Sequence, residues 1–397
     1  MKRSIMAPTT LPPGRAEQSV AETIDTHGRL PGIDILRCIA AVAVLLSHAT
    51  NATTIERTEW IAAHDQTPWL FEQVVRVPPG AWGVGLFFVL SGFCIHLPLA
   101  RAIQKGGEPR LDLPRYFARR FTRIYPPHLA ALLLSILAAF FVPSNFFTED
   151  IISVPTRWQL FAHLTMIHSF FANARFSINP VLWTIAVETH FYLCYPLLVL
   201  MRRRMGFVPI VVILLAISIG SKAIVQVVHP SYAYLWGQNF VVRFWEWALG
   251  CLAAERLVER SSAPRSSWLW FAILLLGSYA LAPLSALFPH GAGALARVLP
   301  PVFALVLYVG ARLPPLHSAL YRFGLATGLR SYSLYLTHPI ALPLACVFLA
   351  SLGAPLWAQW IASVVASGLL CAVFFAFVER PFLERSARLR SQQPQLG

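Results

Sequence analysis

The sequence predicts an all-α integral membrane protein that crosses the bilayer about ten times. Hydrophobic residues make up 56% of its 397 residues and charged residues only 13%, and the mean hydropathy is +0.59. A soluble protein of this length could not cover its surface with so few charges. The apolar residues also fall into runs of about 20, which is the length that an α-helix needs to cross the hydrocarbon core.

The distribution of charge supports the same class. The chain carries 32 basic and 18 acidic residues, a formal net charge of +14. We expect no nucleic-acid partner, because the basic residues fall mainly between apolar runs, as the positive-inside rule requires. Residues 101–123 are strongly basic and are predicted to be cytoplasmic. Residues 51–80 contain four acidic and two basic residues, which suits an outer loop. The rule places both termini in the cytoplasm. The expected location is the plasma (bacterial inner) membrane, with the protein integral to it.

The first span follows a polar segment. Residues 1–30 are rich in Pro, Thr and Glu and lack the apolar core of a signal peptide, so they are predicted to be a disordered cytoplasmic tail. Residues 31–383 are predicted to form one transmembrane domain, and residues 384–397 a second cytoplasmic tail. The spans are predicted at about 33–50, 81–100, 124–142, 181–200, 207–228, 240–257, 268–288, 296–312, 331–352 and 356–378.

One further apolar segment is too short to be a span. The run WQLFAHLTMIHSFF, residues 158–171, has only 14 residues and contains two histidines. The spans on either side of residues 143–180 place both ends of this region on the outer face. A re-entrant or interfacial helix is therefore expected here.

Motifs and spacing exclude several kinds of site. The six cysteines lie in or beside apolar runs and form no Cys-x-x-Cys pair, which favours neither a disulfide framework nor a zinc site. No Gly-x-x-x-x-Gly-Lys, His-Glu-x-x-His or Gly-x-Ser-x-Gly motif is present. His163 and His168 are five residues apart and do not share a helix face well, so we expect no metal site.

The first span contains two polar residues that lie on one stripe. Arg37 and His48 are eleven residues apart, which is about three helical turns and roughly 16 Å of rise. A charged residue so close to a membrane span indicates a functional site. His48 can act as a general base, or it can be a helix-end histidine bonded to water or a carbonyl. Arg37 can bind an anion or extend to the inner headgroups.

Two other groups of polar residues can carry chemistry. Arg120 and Arg123 form an i, i+3 pair where the basic segment enters the third span, and their forked guanidinium groups suit phosphate. The alternative is that they only anchor the topology. Glu188 lies within a span, where a carboxylate is usually paired, protonated or functional.

Three further polar residues within the spans, Arg243, Glu246 and His338, can be interpreted from their positions. Arg243 and Glu246 have the spacing of an ion pair within one helix, and a structural role is favoured. His338 precedes Pro339 and either lines a cavity or caps a break in its helix.

Several motifs, taken together, resemble one family. They cover about residues 31–383 in the family's order. The motifs are GIDILRCIAAVAVLLSH, FFVLSGFCI, RRFTRIYP, NPVLWTIAVETHFYLCYPLL, RFWEWALG, SYSLYLTHPI and VERPF. This chain is thereby similar to the membrane-bound acyltransferase 3 family. The resemblance implies transfer of an acyl group, usually acetyl from acetyl-CoA, to a hydroxyl of a carbohydrate or another cell-envelope molecule.

The resemblance also implies roles for the residues that match its motifs. Arg37 and His48 match the arginine and the histidine of the family's first helix. Arg120 and Arg123 match the family's Arg-x-x-Arg motif. Glu188 matches the acidic residue of the family's fifth conserved segment. His48 is then expected to deprotonate the acceptor hydroxyl or to carry the acyl group as an acyl-imidazole. Arg120 and Arg123 would hold the phosphates of the coenzyme.

The other two residues have less definite roles in this scheme. Arg37 would extend the phosphate site or stabilise the oxyanion. Glu188 would orient His48 or the acceptor. The competing interpretation is a transporter or flippase of a glycan or acylated intermediate, since intramembrane Arg, His and Glu residues also suit one.

Overall fold

The fold is entirely helical over the residues that the structure describes. A computed structural model describes residues 30–53, 80–108, 110–141, 154–260, 265–285 and 291–391, and these contain no β-strand. In chain order the helices are α1 (Pro31–Thr53), α2 (Gly80–Gln104), α3 (Leu113–Ala138), α4 (Arg157–Leu164), α5 (Ala172–Arg175), α6 (Leu182–Arg202), α7 (Phe207–Val228), α8 (Ala233–Gly237), α9 (Phe240–Glu259), α10 (Trp268–Ser285), α11 (Gly291–Gly310), α12 (Ala319–Leu329), α13 (Ser331–Ser351), α14 (Leu356–Phe374) and α15 (Arg380–Ser391).

Each predicted span coincides with one of these helices, and the predicted fold class is confirmed. Seven helices among the described residues are long and apolar enough to cross a membrane, namely α1, α2, α3, α6, α7, α13 and α14. The other three predicted spans correspond to α9, which contains several charged residues, and to α10 and α11, whose apolar stretches are shorter. The molecule is therefore a polytopic membrane protein of helices alone.

Helix α3 begins eleven residues before the predicted start of its span. Asp112 caps it, because its carboxylate accepts a hydrogen bond of 3.3 Å from the backbone N–H of Arg115. Pro114 lies in the first turn, where its missing N–H costs nothing. Arg120 and Arg123 consequently lie about one turn apart on a helix that extends the third span.

Glycines allow the backbones of α2 and α9 to touch. A Cβ atom on Gly92 would lie 1.9 Å from the carbonyl oxygen of Trp247, and one on Gly250 would lie 2.0 Å from that of Val89. Any side chain at either position would force the helices apart. Close contact between small residues is a usual way of packing helices within a bilayer, where apolar burial provides little driving force.

The short apolar segment forms a helix that is too short to cross the membrane. Helix α4 has eight residues, or about 12 Å of rise. The hydroxyl of Tyr125 in α3 donates to the carbonyl oxygen of Leu164 over 2.8 Å, and Nε2 of His128 lies 3.2 Å from that of His163. The segment therefore packs against α3, as expected for an interfacial or re-entrant element.

Basic ends of several helices meet at one end of the bundle. Arg202, at the end of α6, forms an ion pair of 2.6 Å with Glu255 near the end of α9. Ser386 of α15 donates to the carbonyl oxygen of Arg119 in α3. Much of the predicted C-terminal tail is thus helical, up to Ser391. Residues 1–29 and 392–397 lie outside the described residues, as do residues 54–79 of the predicted outer loop.

Candidate functional site

Two histidines from distant parts of the sequence meet between α1 and α13. Nδ1 of His48 lies 2.8 Å from Nε2 of His338, and the two rings stack with centroids 5.0 Å apart. The other ring nitrogen of His338, Nδ1, lies 2.9 Å from the carbonyl oxygen of Leu334 in its own helix. His338 is therefore both a partner of His48 and a contact of its own helix backbone.

The second nitrogen of His48 is open. Its Nε2 makes no hydrogen bond to any described residue, and it is not among the polar atoms that are both enclosed and without a partner. His48 is half-buried, whereas His338 is only 1% exposed. The pair thus presents one reactive atom, and that atom belongs to His48.

Three arginines form a cluster between α1 and α3. Arg123 is close enough to Arg37 and Arg120 for electrostatic repulsion. Nη2 of Arg37 donates to the sulfur of Cys94 over 3.4 Å, and Nη1 lies 3.8 Å from the carboxylate of Asp34. The cluster brings together the three arginines that the sequence proposed as ligands of the donor.

Arg120 retains unused hydrogen-bonding capacity. Its Nε is buried and has no hydrogen-bond partner among the described residues, while its guanidinium group lies over the ring of Tyr192 at 5.9 Å. A buried N–H without an acceptor is costly unless a ligand or water supplies one. The cluster of cations with an open donor suits a polyanion such as a phosphate ester.

Glu188 lies in α6 and contacts a tyrosine that also packs against the arginine cluster. Its carboxylate accepts a short hydrogen bond from the hydroxyl of Tyr192, the residue below Arg120. One turn earlier, the hydroxyl of Thr184 donates over 2.8 Å to that of Tyr335, whose ring packs against His338. One role expected of Glu188 was to orient His48. The residue that contacts a ring nitrogen of His48 is His338 instead.

The polar residues of α1 and α6 keep part of their surface accessible. Arg37 and His48 are surrounded by protein, yet both are only half-buried, and 23% of the Arg37 side chain is exposed. Glu188 is half-buried too. These side chains therefore keep surface that a ligand can reach, although they lie on membrane-spanning helices.

Glu379 is a polar residue of the site that the sequence analysis did not single out. It ends a π-helical turn, Phe375–Glu379, and accepts a hydrogen bond of 3.0 Å from the backbone N–H of Ser333 at the start of α13. It also attracts Arg123 and Arg37 electrostatically. The only signal in the sequence was its place in VERPF, an acid directly before Arg-Pro.

Arg175 fixes the segment that leads into α6. It is fully buried, its Nη1 donates to the carbonyl oxygens of Ser169 and Leu235, and its guanidinium group lies 4.4 Å from the ring centroid of Trp183. Burial lowers the pKa of Arg175 to about 10. This contact holds the loop before α6 in place. Arg175 lies in no recognisable motif, so this role could not be predicted from the sequence.

The pair in α9 is confirmed as an ion pair. Nε of Arg243 lies 2.7 Å from Oε1 of Glu246, and Nη1 of Arg243 donates to the side-chain oxygen of Gln238 over 3.0 Å. Its guanidinium group also lies over the ring of Phe88 at 5.1 Å. These contacts join α9 to α2 and support the structural interpretation.

Comparison with known proteins assigns a common domain to nearly all of the chain. The family model described as "Acyltransferase domain" matches residues 30–377. Nodulation protein 10 of Rhizobium leguminosarum bv. viciae is 26% identical over 378 residues, covering 90% of this chain and 95% of the relative. No solved structure matches the chain significantly.

Two relatives are longer than the region that matches. The putative peptidoglycan O-acetyltransferase YrhL of Bacillus subtilis (strain 168) is 24% identical over 396 residues, covering 92% of this chain and 57% of the relative. The O-acetyltransferase OatA of Staphylococcus aureus (strain NCTC 8325 / PS 47) is 25% identical over 224 residues, covering 54% of this chain and 32% of the relative. This chain therefore spans only part of these two proteins.

Proposed function

Because this chain belongs to the membrane-bound acyltransferase 3 family, we propose that it transfers an acetyl group from acetyl-CoA to a hydroxyl of a carbohydrate or another cell-envelope molecule. Family membership makes the protein a membrane acyltransferase. The donor and the acceptor are the proposed parts. Relatives named as O-acetyltransferases support an acetyl group and an oxygen acceptor, since their names specify acetyl transfer to oxygen and, for one of them, peptidoglycan.

One observation carries the proposal more than any other. The open Nε2 of His48 lies towards one end of α1, and a cluster of arginines that includes Arg37 lies towards the other end of the same helix. An acyl-CoA has the same two-part character, with phosphates at one end and a thioester at the other. Helix geometry separates Arg37 from His48 by about 16 Å along α1, so the donor must be elongated.

The arginine cluster fits the phosphates by charge and by geometry. Arg37, Arg120 and Arg123 supply three positive charges, which the nearby carboxylates offset only in part. The buried Nε–H of Arg120 has no partner among the described residues, so it can donate a hydrogen bond to a phosphate oxygen. Acetyl-CoA, when bound, supplies an activated acyl group as a thioester.

His48 carries the proposed chemistry at Nε2. That atom takes the proton of the acceptor hydroxyl, or it attacks the acyl carbon and holds the acyl group until the hydroxyl arrives. Glu188, held by Tyr192, accepts a hydrogen bond from the acceptor hydroxyl and so orients it. Arg37, on the same stripe of α1, extends the phosphate site.

The orientation of the chain follows from charge. The basic ends that meet in the bundle are proposed to face the cytoplasm, which supplies acyl-CoA, and the histidine pair is proposed to lie nearer the outer leaflet. We infer a location in the bacterial plasma membrane with both termini inside. The bacterial origin of the relatives described above supports this inference.

The test is an incubation in detergent, without a gradient or a closed membrane. Purified protein receives acetyl-CoA labelled in the acetyl group, together with a membrane extract as the source of acceptor, and the transferred label and free CoA are measured. The matched variants are His48→Ala and His317→Ala, because His317 is an exposed histidine. Label transfer by the wild type and His317→Ala, lost in His48→Ala, is expected. Equal transfer by all three would remove His48 from the reaction, and none from any would contradict the proposed donor.

A further inference from the structure

The backbone of α13 determines which nitrogen of His338 carries hydrogen. A carbonyl oxygen only accepts hydrogen bonds, so Nδ1 of His338, 2.9 Å from the carbonyl of Leu334, must be the donor. Pro339 reinforces this, because it has no N–H and leaves the carbonyl of Tyr335 without its helical donor. The His338 ring lies near that carbonyl as well. Two acceptors therefore keep the hydrogen on Nδ1.

The direction of the next hydrogen bond follows from the first. A neutral His338 with hydrogen on Nδ1 has a lone pair on Nε2, the atom that lies 2.8 Å from Nδ1 of His48. One hydrogen must lie between these two nitrogens, so His48 donates it from Nδ1. The tautomer of His48 is thereby fixed, and its Nε2 carries a free lone pair.

The described surroundings of the two rings offer no partner for a positive charge on both. His338 is 1% exposed, and the ring centroids are only 5.0 Å apart. Within the described part of the chain, no carboxylate forms a hydrogen bond or ion pair with either ring, so nothing offsets two adjacent positive charges. The arrangement is thus a neutral pair with one outward-facing base.

We propose that His338 is the positioning residue of His48, and that it keeps the hydrogen on Nδ1 so that Nε2 meets the acyl carbon as a free base. This inference rests on the function proposed above. It adds to that function a specific atom, Nε2, and a residue that acts only through His48. A histidine held by a carbonyl here takes the place that a carboxylate has in the serine-protease triad.

If the acyl group is carried on His48, the histidine pair also accounts for the proton that must leave the ring. Nε2 of His48 attacks the thioester carbon; the carbon–nitrogen bond forms, the carbon–sulfur bond breaks, and the electron pair leaves on sulfur as the thiolate. The hydrogen on Nδ1 then passes to Nε2 of His338, which leaves a neutral acyl-imidazole beside a protonated His338. If His48 acts as a general base instead, His338 accepts a hydrogen bond from the resulting imidazolium.

Two variants separate positioning from packing. His338→Gln keeps a side-chain oxygen that can accept from Nδ1 of His48, whereas His338→Phe keeps an aromatic ring but has no acceptor. In the Phe variant the hydrogen of His48 is free to move to Nε2, which is not enclosed by the described residues and can donate to water. A purely structural role for His338 would favour Phe, since that side chain preserves ring stacking.

The experiment uses diethyl pyrocarbonate, which reacts with unprotonated ring nitrogen, and needs neither donor nor acceptor. The rate of Nε2 modification at His48 is followed by peptide mass spectrometry in purified full-length protein, relative to the exposed His317. We expect the Gln variant to react within about 3-fold of the wild type and the Phe variant at least about 10-fold more slowly. Acyl labelling of His48 by acetyl-CoA should fall in the same order.

The outcomes distinguish this inference from the proposed function. Equal modification rates in the wild type and a folded His338→Phe variant would overturn the positioning role, even with full acetyl transfer. If the Phe variant is not recovered folded, His338→Met, which also lacks a strong acceptor, makes the same comparison. Modification rates in the expected order, with the Phe variant slowest, but with no acyl transfer at all would instead contradict the proposed function and leave the positioning role supported.

Discussion

Replacing Arg120 and Arg123 together by Gln should weaken the binding of acetyl-CoA without displacing the helix. Both side chains lie on α3 and contribute two of the three positive charges in the cluster. A charge-assisted hydrogen bond to a phosphate is worth about 1.5–3 kcal/mol, which corresponds to a factor of roughly 10–150 in affinity. Because both groups are partly exposed, the lower part of that range applies to each.

The expected result is an apparent KM for acetyl-CoA that rises roughly 100-fold in the double variant, with kcat changed much less. Arg115→Gln is the matched control, since Arg115 lies on the same helix, is 42% exposed and pairs with Asp112. The assay is release of free CoA in detergent at varied acetyl-CoA concentration. An unchanged KM in a properly inserted double variant, or the same rise in Arg115→Gln, would refute the assignment and make these arginines topology anchors.

Three further predictions concern other parts of the account. Tyr192→Phe removes the hydroxyl that holds Glu188, so kcat should fall about 10-fold with little change in the KM for acetyl-CoA; an unaltered kcat would argue against Glu188 in the reaction. Gly250→Ala should abolish the α2–α9 contact and lower Tm strongly, whereas Gly220→Ala, with open space around it, should leave Tm equal or higher; equal Tm values would contradict the packing. Bound CoA should slow alkylation of Cys94, which contacts Arg37, and no protection would place the phosphates elsewhere.

The fold was predictable because membrane spans are long and their composition is extreme. Every predicted span coincides with a helix, since an apolar run of about 20 residues has few alternatives in a bilayer. The start of α3 was missed because its first turns are basic and read as a loop. Only the cap at Asp112 shows that the helix extends to it.

The site was predictable in its residues more than in its contacts. Arg37 and His48 share a helix stripe, which a spacing argument can find. The contact between His48 and His338 joins residues 290 apart, and no local pattern encodes it. Glu379 was missed for the same reason, because its partners lie on α13 and α3. Tertiary pairs of this kind depend on helix packing, which a single sequence does not specify.

The most direct test of the central claim is a cryo-electron microscopy structure with a non-hydrolysable acetyl-CoA analogue. The account predicts that the phosphates contact Arg120 and Arg123 and that the acyl carbon lies beside Nε2 of His48, in one continuous cavity. An analogue whose phosphates lie away from the cluster, or whose acyl group points away from His48, would contradict the account.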